Sequence, residues 1–204
     1  MRRFLLAASL VAGGGMTASA QAQNLIQNPG FETGDLSSWL VDPFNAGRTQ
    51  VVAYSGSYCC QGATPPEGTF AAAFGGGGAT DGELAQTFST TVGATYNVSL
   101  RYAGVGDGVA TLQVTVGDAN TFTPYSGFPV PLTPAYNGSF QTFNGTFVAG
   151  SSLSGIDIVG LNNGGGSADV LVDNVQVTLV PEPALAGTLA VAGLAMALRC
   201  RRRA

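Results

Sequence analysis

The sequence of 204 residues predicts an all-β domain with an antiparallel sandwich fold. Short stretches rich in Val, Thr, Phe and Tyr alternate apolar with polar residues, which is the two-residue period of a half-buried strand. Gly, Asn and Asp separate these stretches and are typical of turns. Between residues 23 and 179 no segment keeps the 3.6-residue apolar period of a helix. About nine short strands joined by turns therefore favour a β-sandwich of the jelly-roll type.

Nine segments carry the strand pattern. They are residues 24–27, 50–54, 70–74, 84–89, 96–102, 110–116, 140–148, 156–161 and 170–179. The glycine runs 75–78 and 164–166 are predicted to be loops, because glycine is too flexible for a strand interior. Residues 118–136 contain four prolines, which lack the N–H group that a central strand needs. A long ordered loop or an edge crossing is predicted for that segment.

The amino terminus has the features of a secretory signal peptide. A basic start is followed by a mostly apolar stretch over residues 4–15 and then by small residues. This order predicts a signal peptide over residues 1–22, cleaved after Ala20 or Ala22. The remaining residues 23–179 are long enough for one domain with a hydrophobic core, and nothing in them indicates a second domain.

The carboxyl terminus, residues 180–204, has three parts with different physical properties. Pro181 and Pro183 keep the chain extended and stop a helix from running back into the domain. Residues 184–198 carry no charge and would span about 22 Å as a helix, which is short of the roughly 30 Å hydrocarbon core of a bilayer. The arginines that follow resist transfer across the membrane. These parts predict a single transmembrane helix that acts as a transient anchor.

This order of parts resembles the PEP-CTERM sorting signal of Gram-negative bacteria. The resemblance implies that an exosortase in the inner membrane recognises and processes the tail. The sorting motif is then Val180, Pro181, Glu182 and Pro183, and the membrane stop is Arg199, Arg201, Arg202 and Arg203. The resemblance also implies export through the inner membrane, transient anchoring there, and delivery to the cell surface or the extracellular space.

The charge balance of the domain excludes nucleic acid as a partner. Residues 23–179 contain two bases, Arg48 and Arg101, against eleven acids, which gives a net charge of −9. Such a surface does not bind nucleic acid by neutralising phosphates.

The residue inventory also predicts that the domain is not an enzyme. The sequence contains no histidine, so the commonest general base and zinc ligand is absent. Cys59 has no His or Lys beside it to activate its thiol, and the adjacent Cys59 and Cys60 leave free thiols, a strained disulfide or an intermolecular bridge open. Asp81 and Glu83 are close in sequence, but between a glycine loop and a strand they are expected to be solvated rather than catalytic.

Residues 24–39 are the most specific motif of the domain. They read Asn-Leu-Ile-Gln-Asn-Pro-Gly-Phe-Glu-Thr-Gly-Asp-Leu-Ser-Ser-Trp and resemble the opening of galactose-binding-like jelly rolls, which include many carbohydrate-binding modules. Residues 170–177 resemble the closing strand of that family, and residues 85–100 its central hairpin. The resemblance implies that the first and last strands pair and that Glu32 and Asp173 hold a structural calcium ion there, since carboxylate oxygens suit calcium. The alternative is that Glu32 caps a turn and Asp173 accepts a loop amide.

Aromatic residues in or beside loops are the candidates for ligand contact. Tyr54, Tyr58 and Tyr125 are the candidates for a glycan surface, and simple loop packing is the alternative for each. Packing is favoured for Phe128. Trp39, the single tryptophan, is predicted to lie in the core rather than to stack on a sugar.

Together these features predict a secreted or surface-associated, non-enzymatic protein of the extracellular matrix or biofilm, sorted by exosortase. The alternative is a carbohydrate-binding module that recognises a glycan through loop aromatics. Ice binding ranks below both, because the regular Thr-x-Thr ladders of an ice-binding face are absent from the sequence. The predicted partners are exosortase, the inner membrane as a transient contact, and exopolysaccharide.

Overall fold

The computed structural model describes residues 22–42, 49–53, 66–75, 82–106, 109–135, 139–162 and 168–181. Eleven β-strands lie within these ranges. They are β1 Leu40–Val41, β2 Thr49–Ala53, β3 Phe70–Phe74, β4 Glu83–Ser89, β5 Thr95–Gly106, β6 Ala110–Asp118, β7 Thr123–Pro124, β8 Val130–Leu132, β9 Gln141–Val148, β10 Leu153–Asn162 and β11 Ala168–Leu179.

The strands form two sheets in which every pair is antiparallel. The six-stranded sheet has the order β1-β4-β10-β6-β7, and β8 also pairs with β6. The five-stranded sheet has the order β2-β3-β11-β5-β9. The predicted all-β antiparallel sandwich is confirmed.

The hydrophobic core lies between the two sheets and follows the alternation of the strands. On β6, Leu112, Val114 and Val116 are fully buried, and the residues between them face outward. Val98 and Leu100 on β5 meet them from the other sheet. Burial of each such side chain contributes about 1.5–3 kcal/mol, so the two-residue period fixes which face of each strand points inward.

The amino-terminal segment lies against the last strand. Asn24 forms a bridge with Thr178, and the Leu25 amide donates to the Val177 carbonyl at 2.8 Å. The strand predicted over residues 24–27 is therefore reduced to a single bridge. Here the Asn24 side chain takes the place of ladder bonds, since it donates to the Val175 carbonyl at 3.0 Å and accepts the Val177 amide at 2.9 Å.

The Phe31–Trp39 pair closes the end of the core beside this segment. Both side chains are buried, and their rings stack with centroids 5.5 Å apart. The Trp39 indole Nε1 donates to the Asn28 carbonyl at 3.1 Å. The predicted core position of Trp39 is confirmed.

The proline-rich segment crosses the edge of the six-stranded sheet, as one of the two sequence interpretations predicts. It contributes β7 and β8, both paired with the same strand, β6. Pro124 lies opposite Gly117, and Pro131 lies opposite Gln113. Proline is tolerated here because an edge strand leaves one side without ladder partners.

Residues 1–21 and 182–204 lie outside the described residues. The signal peptide, the transmembrane helix and the arginine stop therefore stay predictions, as do the domain boundaries drawn from them. Across the described ranges, no helix has the length and hydropathy needed to cross a bilayer.

Candidate ligand-binding groove

A groove of about 200 Å³ crosses the outer face of the six-stranded sheet. Its floor is made by small or short side chains on β4, β10 and β6, which leave the middle of the face recessed. These floor residues are Ala85, Thr87, Gly155, Asp157, Thr115 and Gly117. Because the positions are outward-facing in their strands, the groove is a product of sheet register rather than of one loop.

Two exposed apolar side chains stand at opposite edges of the groove. Leu40 belongs to the edge strand β1, and Phe122 precedes the opposite edge strand β7. Their exposed fractions are 65% and 89%, among the highest for large apolar residues in the described part of the chain. Four strand spacings separate the two edge strands, which corresponds to about 19 Å. The groove therefore has apolar walls and a largely apolar floor, on which Thr87, Thr115 and Asp157 are the polar side chains.

Phe122 lies at the tip of the β6–β7 hairpin in an unfavourable backbone conformation. Its φ angle is 56°, in the left-handed region that aromatic residues rarely adopt. The Asp118 side chain accepts the Asn120 amide at 2.8 Å, and the Asp118 carbonyl accepts the Phe122 amide at 2.9 Å. A ring that is both strained at its backbone and exposed to water is a candidate for function.

Gly117 explains how the hairpin can fold back so closely. A Cβ atom at this position would lie 2.5 Å from the Thr123 carbonyl oxygen, which belongs to the backbone of β7. Only glycine lets the two strands meet at this distance. The wall that carries Phe122 therefore depends on a residue of the floor.

A pair of acids lies at one end of the floor. Asp157 on β10 is opposite Ala85, and Glu83 is two residues along β4 from that position, so the two carboxyl groups are diagonal neighbours and share a hydrogen bond. Burial, the charge of Glu83 and the hydrogen bond shared with it together raise the pKa of Asp157 to about 7, and burial is the largest of the three causes. The Asp157 Oδ1 atom is buried and has no hydrogen-bond partner in the described residues.

Glu83 does not have the solvated position that the sequence predicts for it. It is half-buried and paired with Asp157, not a solvated acid in a loop. The sequence could not show this pair, because the partners lie on strands that only the sheet brings together. Asp81, the acid considered beside Glu83, lies outside the described residues.

Tyr125 lies at one end of the sandwich, where it packs against other residues. Its ring stacks on Phe147 with centroids 5.4 Å apart, and Phe147 in turn stacks on Tyr96 at 5.3 Å. The Tyr125 hydroxyl lies 2.9 Å from the Ser154 hydroxyl. These contacts correspond to the packing alternative, and a role in ligand contact stays a prediction. Tyr54 and Tyr58 lie outside the described residues.

Glu32 and Asp173 meet at the same short segment, residues 67–70. The Glu32 carboxylate accepts the amides of Thr69 and Phe70, each at 2.9 Å, and Gly68 leaves the room it occupies. Asp173 is fully buried, and its Oδ2 accepts the Glu67 amide at 3.3 Å.

These contacts bear on the calcium prediction in two ways. They are the turn cap and loop amide of the alternative interpretation, but they also gather oxygen donors, which calcium prefers. In the described part of the chain, no three acidic, cysteine or histidine side chains group closely enough to hold an ion. Backbone carbonyls and water would have to complete the shell, so the donor type fits while the number of acidic ligands is small.

Sequence reasoning missed Leu40, Phe122 and Asp157. One signal was available for Phe122: an aromatic residue directly after Asp118-Ala-Asn-Thr, a turn sequence. Leu40 and Asp157 gave no such signal, because each fits an ordinary strand pattern.

Comparison with solved structures finds the same fold in other proteins. TmCBM61 in complex with β-1,4-galactotriose matches with a TM-score of 0.59 at 19% identity, covering 78% of this chain and 100% of that chain. The CBM22-1 xylan-binding domain of Xyn10C from Paenibacillus barcinonensis gives 0.56 at 17% identity, with coverage of 81% and 99%. A Stig cyclase, Fisc from Fischerella sp. TAU, gives 0.52 at 18% identity, with coverage of 79% and 99%.

Neither protein-family models nor curated proteins give a match to the sequence. At identities below one fifth, the structural likeness establishes the fold alone, and the same fold serves binding modules and a cyclase. The domain is an antiparallel β-sandwich with the jelly-roll fold found in carbohydrate-binding modules.

Proposed function

We propose that the protein is a non-enzymatic glycan-binding protein whose ligand lies in the groove on the six-stranded sheet. The observation that carries the proposal is Phe122, an exposed ring held in a strained turn at the wall of a groove whose floor offers the polar side chains Thr87, Thr115 and Asp157. Sugars present apolar C–H faces and hydroxyl edges, which such a ring and such a floor complement. The fold shared with a module in complex with β-1,4-galactotriose and with a xylan-binding domain supports the choice of ligand class.

Glycan-array binding followed by titration calorimetry tests the proposal. We expect Phe122→Ala to lower the affinity for the bound glycan about fivefold to tenfold, the value of one lost ring contact. Val148→Ala is the matched control, because Val148 is also exposed, at 56%, but lies on β9 of the other sheet. Equal affinity in wild type and Phe122→Ala, or no glycan bound at all, would refute this assignment.

The absence of catalysis is part of the proposal and has a physical basis. Glu83 and Asp157 are in hydrogen-bond contact, whereas the two carboxyl groups of glycoside hydrolases stand about 5–9.5 Å apart. Incubation of the protein with its bound glycan is therefore expected to release no reducing ends. Steady release that Asp157→Asn removes would identify an enzyme instead.

We also propose that the carboxyl-terminal tail sorts the protein through exosortase to the cell surface or extracellular matrix. Support comes from the order Val180-Pro181-Glu182-Pro183, apolar run and arginines. The last strand ends where the Val180 amide donates to the Thr95 carbonyl at 2.9 Å, so a processing enzyme would meet the chain directly after the folded domain. Mass spectrometry of the exported protein should find an end near Pro181–Pro183. An intact tail on the released protein would exclude processing.

A structural calcium ion at Glu32 and Asp173 is a further part of the proposal. The ion would join residues 67–70 to the last strand and neutralise the buried Asp173 carboxylate, with no part in chemistry. The melting temperature should then rise with calcium and fall with chelator, in proportion to the logarithm of calcium concentration above the dissociation constant. The rise should vanish in Glu32→Gln. A melting temperature that calcium leaves unchanged would exclude the ion.

A further inference from the structure

We infer that the Glu83–Asp157 pair makes the groove select glycans by charge, so that it admits uncharged sugars and excludes uronates. This inference rests on the proposed glycan site and narrows its substrate class. The pair is placed to act in this way because Asp157 forms part of the groove floor, midway between the strands β4 and β6.

Among the residues that the structure describes, the charged side chains on this sheet near Asp157 are acidic. Glu83 faces it from β4, and Asp118 lies along the same groove at the end of β6. Asp42 follows the edge strand β1 and continues its register next to Glu83. On β6, the residue opposite Asp157 is Thr115, which is uncharged.

No basic side chain of the described ranges lies on the six-stranded sheet. Arg101 is the one base that those ranges contain, and it lies on β5 in the other sheet, opposite Asp173. A carboxylate on a bound sugar would therefore meet like charge at Asp118 and Asp157, the charged side chains that the described residues contribute to the groove lining. Such contacts repel, and the recessed floor screens them less than open solvent would.

The strength of this repulsion depends on one proton. While Asp157 keeps its proton, the pair carries a single negative charge and the two carboxyl groups share a hydrogen bond. Loss of the proton breaks that bond and leaves two adjacent carboxylates. Because the pKa of Asp157 is about 7, this second charge appears near neutral pH. Exclusion of uronates should therefore strengthen as the pH rises from 6 to 8.

The test uses matched pairs of sugars that differ only in charge. The probes are neutral hexose oligosaccharides, β-1,4-galactotriose among them, and the same molecules with C6 hydroxyls oxidised to carboxylates. Affinities of the full chain for both members are measured by calorimetry at pH 6 and pH 8 and constant ionic strength. The ratio of neutral to oxidised affinity cancels effects that the two sugars share.

We expect the neutral sugar to bind more tightly at both pH values, and the ratio to rise about threefold to tenfold between them. In Asp157→Asn the ratio should no longer depend on pH, since the amide keeps the shape of the protonated acid without its titration. If Asp157→Asn does not fold, Glu83→Gln takes its place, and its affinity ratio should likewise not depend on pH. Asp35→Asn, which removes an exposed acid that does not line the groove, should keep the wild-type dependence.

The outcomes separate this inference from the function on which it rests. Neutral sugars that bind with no preference over their oxidised forms, or a ratio that is the same at both pH values, would overturn the charge selection alone. If no sugar of the panel binds at either pH, the glycan site itself is wrong and the inference falls with it.

Discussion

The two outer faces of the sandwich are built from the same strand alternation and yet present opposite surfaces. The face of the five-stranded sheet carries a broad depression of about 540 Å³ lined by amide and hydroxyl side chains. These side chains are Asn97, Ser99, Asn144, Thr146, Gln176 and Thr178. The face of the six-stranded sheet instead has apolar walls at Leu40 and Phe122 and acids on its floor.

The difference arises at the sheet edges rather than in the strand centres. On the six-stranded sheet, the β6–β7 hairpin folds back over Gly117 and lifts Phe122 above the floor. The described edges of the other sheet, β2 and β9, carry no comparable hairpin tip with an exposed aromatic ring. An exposed ring is unfavourable for a free protein in water, so Phe122 marks the place on this face where the proposed ligand would cover it.

The largest effect on stability is expected from adding a side chain at Gly117, where the floor of the groove meets the backbone of β7. Gly117→Ala places a Cβ against the backbone of β7, which has to move, and overpacking of this kind costs about 1–3 kcal/mol. Urea unfolding should show this loss of stability, and glycan affinity should fall because Phe122 is displaced.

Gly155→Ala is the matched control on the same floor. The nearest atom to its Cβ would be Ala119 Cβ at 3.7 Å, an ordinary contact. Its free energy of unfolding should stay within about 0.5 kcal/mol of wild type. If both alanine variants unfold alike, the close approach of β7 does not explain the role of Gly117.

Phe122→Gly is expected to separate stability from binding. Glycine adopts a φ of 56° without strain, and a non-glycine residue in this region costs about 1–3 kcal/mol. The variant should therefore be more stable by about 1 kcal/mol in chemical denaturation while binding glycan more weakly. Phe122→Ala keeps the strain and loses the ring, so it should lose affinity without this gain. A loss of stability in Phe122→Gly would mean that the ring supports the fold.

Asp157→Asn is expected to change how stability depends on pH. The pKa of Asp157 is raised from 3.8 to about 7 in the folded protein, so between these values the folded state binds a proton that the unfolded state has released. Its stabilising contribution is complete below pH 3.8 and is lost as the pH rises to about 7. Relative to Asp157→Asn, wild type should therefore lose stability over this range in denaturation experiments.

Asp35 supplies a control, because its pKa is shifted in the opposite direction and its effect on stability changes with pH in the opposite sense. Hydrogen bonds from the Ser37 and Thr33 side chains and from the Ser37 amide lower the pKa of the exposed Asp35 carboxyl below 3.8. Its contribution is present above pH 3.8 and is lost as the pH falls through the lowered value. Asp35→Asn should differ from wild type at neutral pH and converge with it in acid. The same pH profile in both variants would refute the burial of Asp157 as the cause.

The sequence alone predicted the positions of the strands better than the arrangement of side chains in the groove. β3 begins and ends at the predicted residues, Phe70 and Phe74, because a short apolar run followed by glycines is local information. The edge position of the prolines also followed from their missing N–H groups. The Asp157–Glu83 pair depends on the β4–β10 register, which forms between distant segments. The positive φ of Phe122 is likewise set by how the hairpin closes.

The smallest effect is expected on the polar face, where Asn144→Ala removes an exposed amide from the middle of the depression. Its side chain is hydrated in the free protein, so its loss should change the free energy of unfolding by less than about 0.5 kcal/mol. Glycan affinity should be the same as in wild type, because a ligand on this face would have to replace water on many amides without burying an apolar ring. Reduced affinity in Asn144→Ala, together with unchanged affinity in Phe122→Ala, would move the binding site to the five-stranded sheet. In that case the exposed ring at the β6–β7 turn would need another partner, and the polar array of β5, β9 and β11 would be the surface that recognises sugar hydroxyls.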